Sequence, residues 1–143
     1  EISACLVGSE MCIRDSSQAV RPVIDALPDD LRQRVCLTEP MDYPALISLL
    51  QRCYFTLTDS GGIQEEASAL RRPVLIARDS TERQELVEAG GAVLVGTDIR
   101  RMVTEAARLL RDDGAYRSMQ LESSPFGDGH TAQHIADRLC TVD

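Results

Sequence analysis

Short, uninterrupted apolar runs alternate with helically spaced stretches from residue 17 onward, and this order leaves few folds open. The runs are Val35-Cys36-Leu37, Tyr54-Phe55-Thr56-Leu57, Pro73-Val74-Leu75-Ile76-Ala77 and Ala92-Val93-Leu94-Val95. A half-exposed strand alternates apolar with polar residues, whereas a continuous run is covered on both faces. Helical spacing links Val20, Val23, Ile24 and Leu27, and stops at Pro28. It returns at Leu46, Ile47, Leu49 and Leu50, then from about Gly62 to Leu70 with Ile63, Ala67 and Leu70 on the core face. Asp79-Ser80-Thr81-Glu82 has capping-box spacing for a helix that ends at Gly90-Gly91. Thr97-Asp98 starts a helix carrying Met102, Val103, Ala106, Leu109 and Leu110. A last helix, about Thr131 to Cys140, follows the turn Pro125-Phe126-Gly127-Asp128-Gly129. Strand after helix after strand predicts an α/β fold, a parallel sheet with helices on both faces.

The chain of 143 residues, 43% apolar, is long enough for one domain with a core. Residues 1–16 carry no period and two of the five cysteines, Cys5 and Cys12. They resemble translated adaptor sequence and are expected to be a non-native leader, with the domain over 17–143. No apolar run approaches the roughly 18 residues of a membrane span. A basic n-region followed by a long apolar stretch is also lacking at the start. The odd cysteine count without C-x-x-C fits a reducing cytoplasm, with Cys36 and Cys53 as small core residues. A net charge of −8 argues against nucleic acid and anionic membranes as partners. All 15 basic residues are arginine, which excludes a Walker, Schiff-base or pyridoxal-phosphate lysine here.

Local chemistry concentrates after the second run, in Thr58-Asp59-Ser60-Gly61-Gly62-Ile63-Gln64-Glu65-Glu66-Ala67. Glycines at a strand-to-helix turn let a ligand approach the backbone, and the helix start offers unpaired N–H groups. In parallel sheets ligands sit at the carboxyl ends of strands, where strand order reverses. Both this turn and Arg78-Asp79-Ser80 lie at such ends. At about 100° per residue Glu66 falls at the edge of the Ile63–Ala67–Leu70 face and Glu65 nearly opposite. Glu66 is therefore the ligand candidate and Glu65 a solvated carboxylate. Arg83 either pairs with Asp79 one turn earlier or meets an external anion; Arg78 is a lesser candidate at the same strand end. His130 and His134 sit four apart but lack a third metal ligand, so they read as an exposed helical face. Tyr43 and Phe126 suit either packing or the wall of a base pocket.

Several blocks in collinear order, over about residues 17 to 140, resemble the non-hydrolysing UDP-N-acetylglucosamine 2-epimerases. They are Glu39-Pro40-x-Asp42-Tyr43, Thr58 to Ala67, Pro73-Val74-Leu75, Arg78 to Arg83, Val95-Gly96-Thr97-Asp98 and Phe126-Gly127-Asp128-Gly129. The resemblance implies two Rossmann-like domains arranged as in GT-B glycosyltransferases, this chain being the second. It implies interconversion of UDP-N-acetylglucosamine and UDP-N-acetylmannosamine, by loss of UDP to a 2-acetamidoglucal and its re-addition. Matched by motif, Ser60, Gly61 and Gly62 would contact the diphosphate, Glu66 the ribose hydroxyls and Arg83 the phosphate–sugar end. Met41 to Leu46 would border uracil, with Met41 and Leu46 acting through backbone or packing. The family's acid and base carboxylates belong to the first domain, and its phosphate-facing histidine, expected just before Val20, has no counterpart. The resemblance thus implies UDP or UDP-N-acetylglucosamine and the first domain as partners, a homodimer when intact, and no cofactor or metal. By itself the chain would be inactive. The alternatives are a GT-B glycosyltransferase domain and a non-catalytic UDP-binding module.

Overall fold

The structure, a computed structural model, describes residues 21–36, 38 and 41–141. Residues 21–25 are helical. The helices that follow are α1 (Asp29–Arg32), α2 (Tyr43–Leu50), α3 (Gly61–Ala69), α4 (Gln84–Glu88), α5 (Ile99–Arg111), α6 (Asp113–Ser118) and α7 (Thr131–Cys140). Strands β1 (Thr56–Thr58), β2 (Val74–Ile76) and β3 (Ala92–Leu94) form one parallel sheet in that spatial order. Among the described residues the order is sequential, so the expected reversal is not seen.

Register turns this sheet into a two-sided core. Leu57, Leu75 and Val93 are paired across the three strands and pack with Met102, Ala106 and Leu109 of α5, and with Met119. The rows on either side place Val74 beside Ala92 and Ile76 beside Leu94. These four pack against Ala67 of α3 and Leu86 of α4, with Leu121 and Phe126 at the margin. Helices thus cover both faces, as the unbroken apolar runs require. Val74, Leu75 and Ile76 are all fully buried. Each contributes about 1.5–3 kcal/mol relative to exposure, more than the span of about 1 kcal/mol among strand propensities. A third cluster, Leu50, Cys53 and Ile63 with Leu46, Ile47, Leu49 and Leu70 around it, fastens α2 to α3.

Three expectations need correction. Val35 and Cys36 are exposed and lie outside any strand, so Cys36 is not a core residue; Leu37 lies outside the described residues. Among the described residues no strand pairs with β1 on the side away from β2, which leaves these short apolar residues no ladder to join. Asp79 to Glu82 do not cap a helix: α4 starts at Gln84, and its N-cap is Arg83. The Thr81 hydroxyl is engaged elsewhere, donating to Gln64 Oε1 at 2.8 Å. Finally, Ile63 and Ala67 are buried and Leu70 packs half-buried against the core as expected, but the buried face of α3 also takes in Gln64 and Ser68. Its polar members conceal that face from an apolar count. The leader expected over residues 1–16 and the start of the helix at Val20 lie outside the described residues. Among the described residues no helix is long and apolar enough to cross a membrane.

Candidate functional site

The carboxyl end of β1 turns through Asp59 and Ser60 directly into α3. Ser60 is the N-cap in an extended conformation, yet its hydroxyl makes no capping bond. Its own N–H donates to Thr58 Oγ1 at 3.1 Å. Gln64 N–H closes the first helical bond, onto the Ser60 carbonyl at 3.2 Å. The N–H groups of Gly61, Gly62 and Ile63 find no acceptor among the described residues. These are orphan donors of a helix start. A charge-assisted bond to one of them is worth about 1.5–3 kcal/mol, against about 0.3–1 kcal/mol for an exposed helix dipole. The donors therefore dominate over the dipole. The space in front is open at Gly62, where an added Cβ would meet nothing within 4 Å.

Gly61 is covered differently. Its missing side chain leaves room for the Arg83 guanidinium, whose Cζ lies 3.4 Å and Nη2 3.5 Å from where a Cβ would stand. Arg83 Nε donates to Glu65 Oε1 at 2.5 Å, and Nη1 lies 3.8 Å from Glu82 Oε2. The backbone N–H of Arg83 donates to Thr81 Oγ1 at 3.1 Å. Arg83 thus pairs with Glu65 and not with Asp79, and Glu65 is not the solvated carboxylate of the sequence expectation. The reason is the rotated face of α3: with Gln64 and Ser68 inward, Glu65 flanks the side where residues 81–83 dock.

Glu66 flanks the other side. Tyr43, the first residue of α2, donates its hydroxyl to Glu66 Oε1 at 2.7 Å. That bond, chiefly, holds the phenol above its ordinary value of 10.0, because ionisation would set a phenolate against a carboxylate. Asp42 fixes the start of α2 by accepting from Ala45 N–H at 2.9 Å, with Pro44 in the first turn. Met41 is half-buried just ahead of that cap. Leu46 turns into the Leu50–Cys53–Ile63 cluster, so its side chain serves packing. Ser60, Gly61, Gly62 and Arg83 therefore converge on one point, while Glu66 and the start of α2 form its flank.

Other candidates fall elsewhere. Arg78 lies 3.6 Å from Glu82 and lines a separate open cleft of about 210 Å³ with Asp79, Gly96, Asp98 and Arg101. Phe126 packs at the edge of the sheet's α3/α4 face. His130 and His134 are exposed, and His134 Nε2 lies 3.9 Å from Asp128 Oδ2. Among the described residues no three His, Cys, Asp or Glu side chains are grouped to hold a metal. Gln64 and Thr81 lie inside the motif blocks, but their contact spans 17 residues and so leaves no local signal in the sequence.

The sequence model of the UDP-N-acetylglucosamine 2-epimerase family matches residues 12–140. The chain belongs to the UDP-N-acetylglucosamine 2-epimerase family. A relative from Yersinia pestis, named UDP-N-acetylglucosamine 2-epimerase, is 47% identical over 105 residues, which are 73% of this chain and 28% of the relative. The UDP-GlcNAc 2-epimerase of Neisseria meningitidis, solved bound to UDP-GlcNAc, superposes with a TM-score of 0.74 at 35% identity, over 85% of this chain and 32% of that one. MnaA of Staphylococcus aureus, in a co-structure with UDP, gives a TM-score of 0.70 at 34% identity, over 85% of this chain and 39% of that one. The chain thus spans less than a third of the length of the Yersinia relative, and the α/β fold of this epimerase segment is the family's.

Proposed function

We propose that the intact protein interconverts UDP-N-acetylglucosamine and UDP-N-acetylmannosamine, and that this chain is the wall that holds UDP. The observation that carries the reading is the start of α3. There, among the described residues, the N–H groups of Gly61, Gly62 and Ile63 have no acceptor, the Ser60 hydroxyl makes no capping bond, the space at Gly62 is open and the Arg83 guanidinium lies against Gly61. A diphosphate matches that set in charge and in number of acceptors. The second Glu66 carboxylate oxygen accepts from a ribose hydroxyl, and backbone groups from Met41 to Leu46 border the uracil. In the reaction the C2 proton is removed and the C1–O bond breaks, its electron pair leaving with UDP to give a 2-acetamidoglucal. A UDP oxygen then re-forms the bond at C1 while a proton returns to C2 on the opposite face. Negative charge grows on the departing diphosphate, and donors already aimed at it stabilise that step. The acid and base come from the remainder of the intact protein, which works as a cytoplasmic homodimer.

Calorimetric titration of the 143-residue chain tests the binding half of this reading. UDP is expected to bind saturably, uridine far more weakly, and Glu66→Ala to lose about tenfold, the equivalent of one bond to a charged acceptor. Equal affinities of wild type and Glu66→Ala for UDP would remove Glu66 from the site. For the intact enzyme, solvent deuterium should enter C2 of UDP-N-acetylglucosamine with no acceptor present; full retention of the proton would contradict the epimerase reaction.

A further inference from the structure

We infer that Gln64 and Glu65, consecutive residues of α3, are positioning residues that lock Arg83 onto the start of their own helix; the inference rests on that start being a diphosphate site. Arg83 comes from the loop after β2, yet its side chain is fastened to α3 directly and its backbone is linked to α3 through Thr81. Its guanidinium is held through Nε by Glu65 Oε1 at 2.5 Å. Its backbone N–H is held by Thr81 Oγ1 at 3.1 Å, and that hydroxyl donates to Gln64 Oε1 at 2.8 Å. With Nε engaged, the guanidinium lies against Gly61 and keeps Nη2 for an incoming anion. Cation and orphan N–H groups therefore move as one body.

Magnitudes argue that this arrangement serves geometry more than stability. The Arg83 and Glu65 side chains remain 33% and 42% exposed, a setting where an ion pair adds little to stability. Gln64 is fully buried, and its Nε2 finds no partner among the described residues. Such an orphan is destabilising, because its desolvation is left uncompensated. An apolar residue of similar size would avoid that cost, but it would not accept from Thr81. What the pair of contacts supplies is a guanidinium with its rotamer freedom already lost before ligand arrives.

A double-variant cycle on UDP affinity, with the Arg83 Nε–H resonance of the free protein as a second readout, tests this. Glu65→Ala should weaken UDP about tenfold, leave uridine unchanged, and have no further effect in an Arg83→Ala background. Glu65→Gln, which keeps the acceptor, should recover part of the loss. In wild type without ligand, the Arg83 Nε–H should give a resolved, exchange-protected signal that Glu65→Ala abolishes. Additive losses in the double variant, or an Arg83 Nε–H averaged like that of a free side chain, would overturn the inference. A protected Nε–H in a protein that ignores UDP would uphold the positioning and sink the diphosphate reading instead.

Discussion

Gly62 sits in the first turn of α3 with nothing within 4 Å of the place a Cβ would take. Its backbone is helical, so alanine there restricts the unfolded chain without straining the native one. Gly62→Ala should raise stability by about 0.5–1 kcal/mol and still weaken UDP, since the methyl fills the space a phosphate oxygen needs. Thermal melting and calorimetry on the same sample separate the two; unchanged UDP affinity would mean the opening is not ligand space. Gly96 contrasts with it, at φ +64 and with an added Cβ 2.7 Å from Asp79 Oδ1, where alanine can only destabilise. At Tyr43 the folded-state value is raised above 10.0, first by the bond to Glu66. That bond's contribution is therefore complete below pH 10 and lost as pH rises through the folded value. A ring-resonance titration should place the Tyr43 midpoint lower in Glu66→Gln; no change would break the link. Ser60, Gly61, Gly62 and Glu66 were legible as candidates because helix-start anion chemistry is local in sequence, whereas Arg83 was joined to them through the resemblance. The Glu65–Arg83 contact spans 18 residues and depends on which face of α3 is inward, something apolar spacing alone misjudged.

Elements whose caps and periods agree were legible almost to the residue. α5 begins after Asp98, which accepts from Arg100 N–H at 2.8 Å; α7, Thr131 to Cys140, matches its expected range without a side-chain cap. Asp98→Ala should cost about 0.5–2 kcal/mol, the usual loss for a polar N-cap, visible as a lower denaturation midpoint. Asp79→Ala should leave α4 intact, because α4 begins at Gln84 and takes no cap from the 79–82 segment; equal destabilisation by the two variants would contradict this. The 79–82 segment satisfied a helix rule in sequence, but its Glu82 carboxylate lies by Arg78 and Arg83 instead, and the helix starts only at Gln84. α6 escaped notice because Asp113–Ser118 has no apolar period. Its tertiary anchor is Tyr116, stacked on Tyr54 with centroids 3.9 Å apart, a contact invisible to local pattern.

Across the whole molecule, the sheet holds two layers of helices and the α2–α3 cluster supports the candidate wall from behind. Cys53 lies in that cluster, buried, with its thiol pushed above the ordinary value of 9.0 by burial. Cys36 and Cys140 are exposed. A thiol reagent should therefore label Cys36 and Cys140 quickly and Cys53 only as the core opens. UDP should slow Cys53 further by stabilising the native state; fast labelling of Cys53 would contradict the packing of α2 on α3. The central claim, that the start of α3 with Arg83 holds a diphosphate, is tested most directly by amide and Arg Nε–H shifts during a UDP titration. The account predicts the largest shifts at Gly61, Gly62, Ile63 and the Arg83 Nε–H. Shifts confined to the cleft at Asp79, Gly96 and Arg101, with the Gly61–Ile63 amides unmoved, would contradict it.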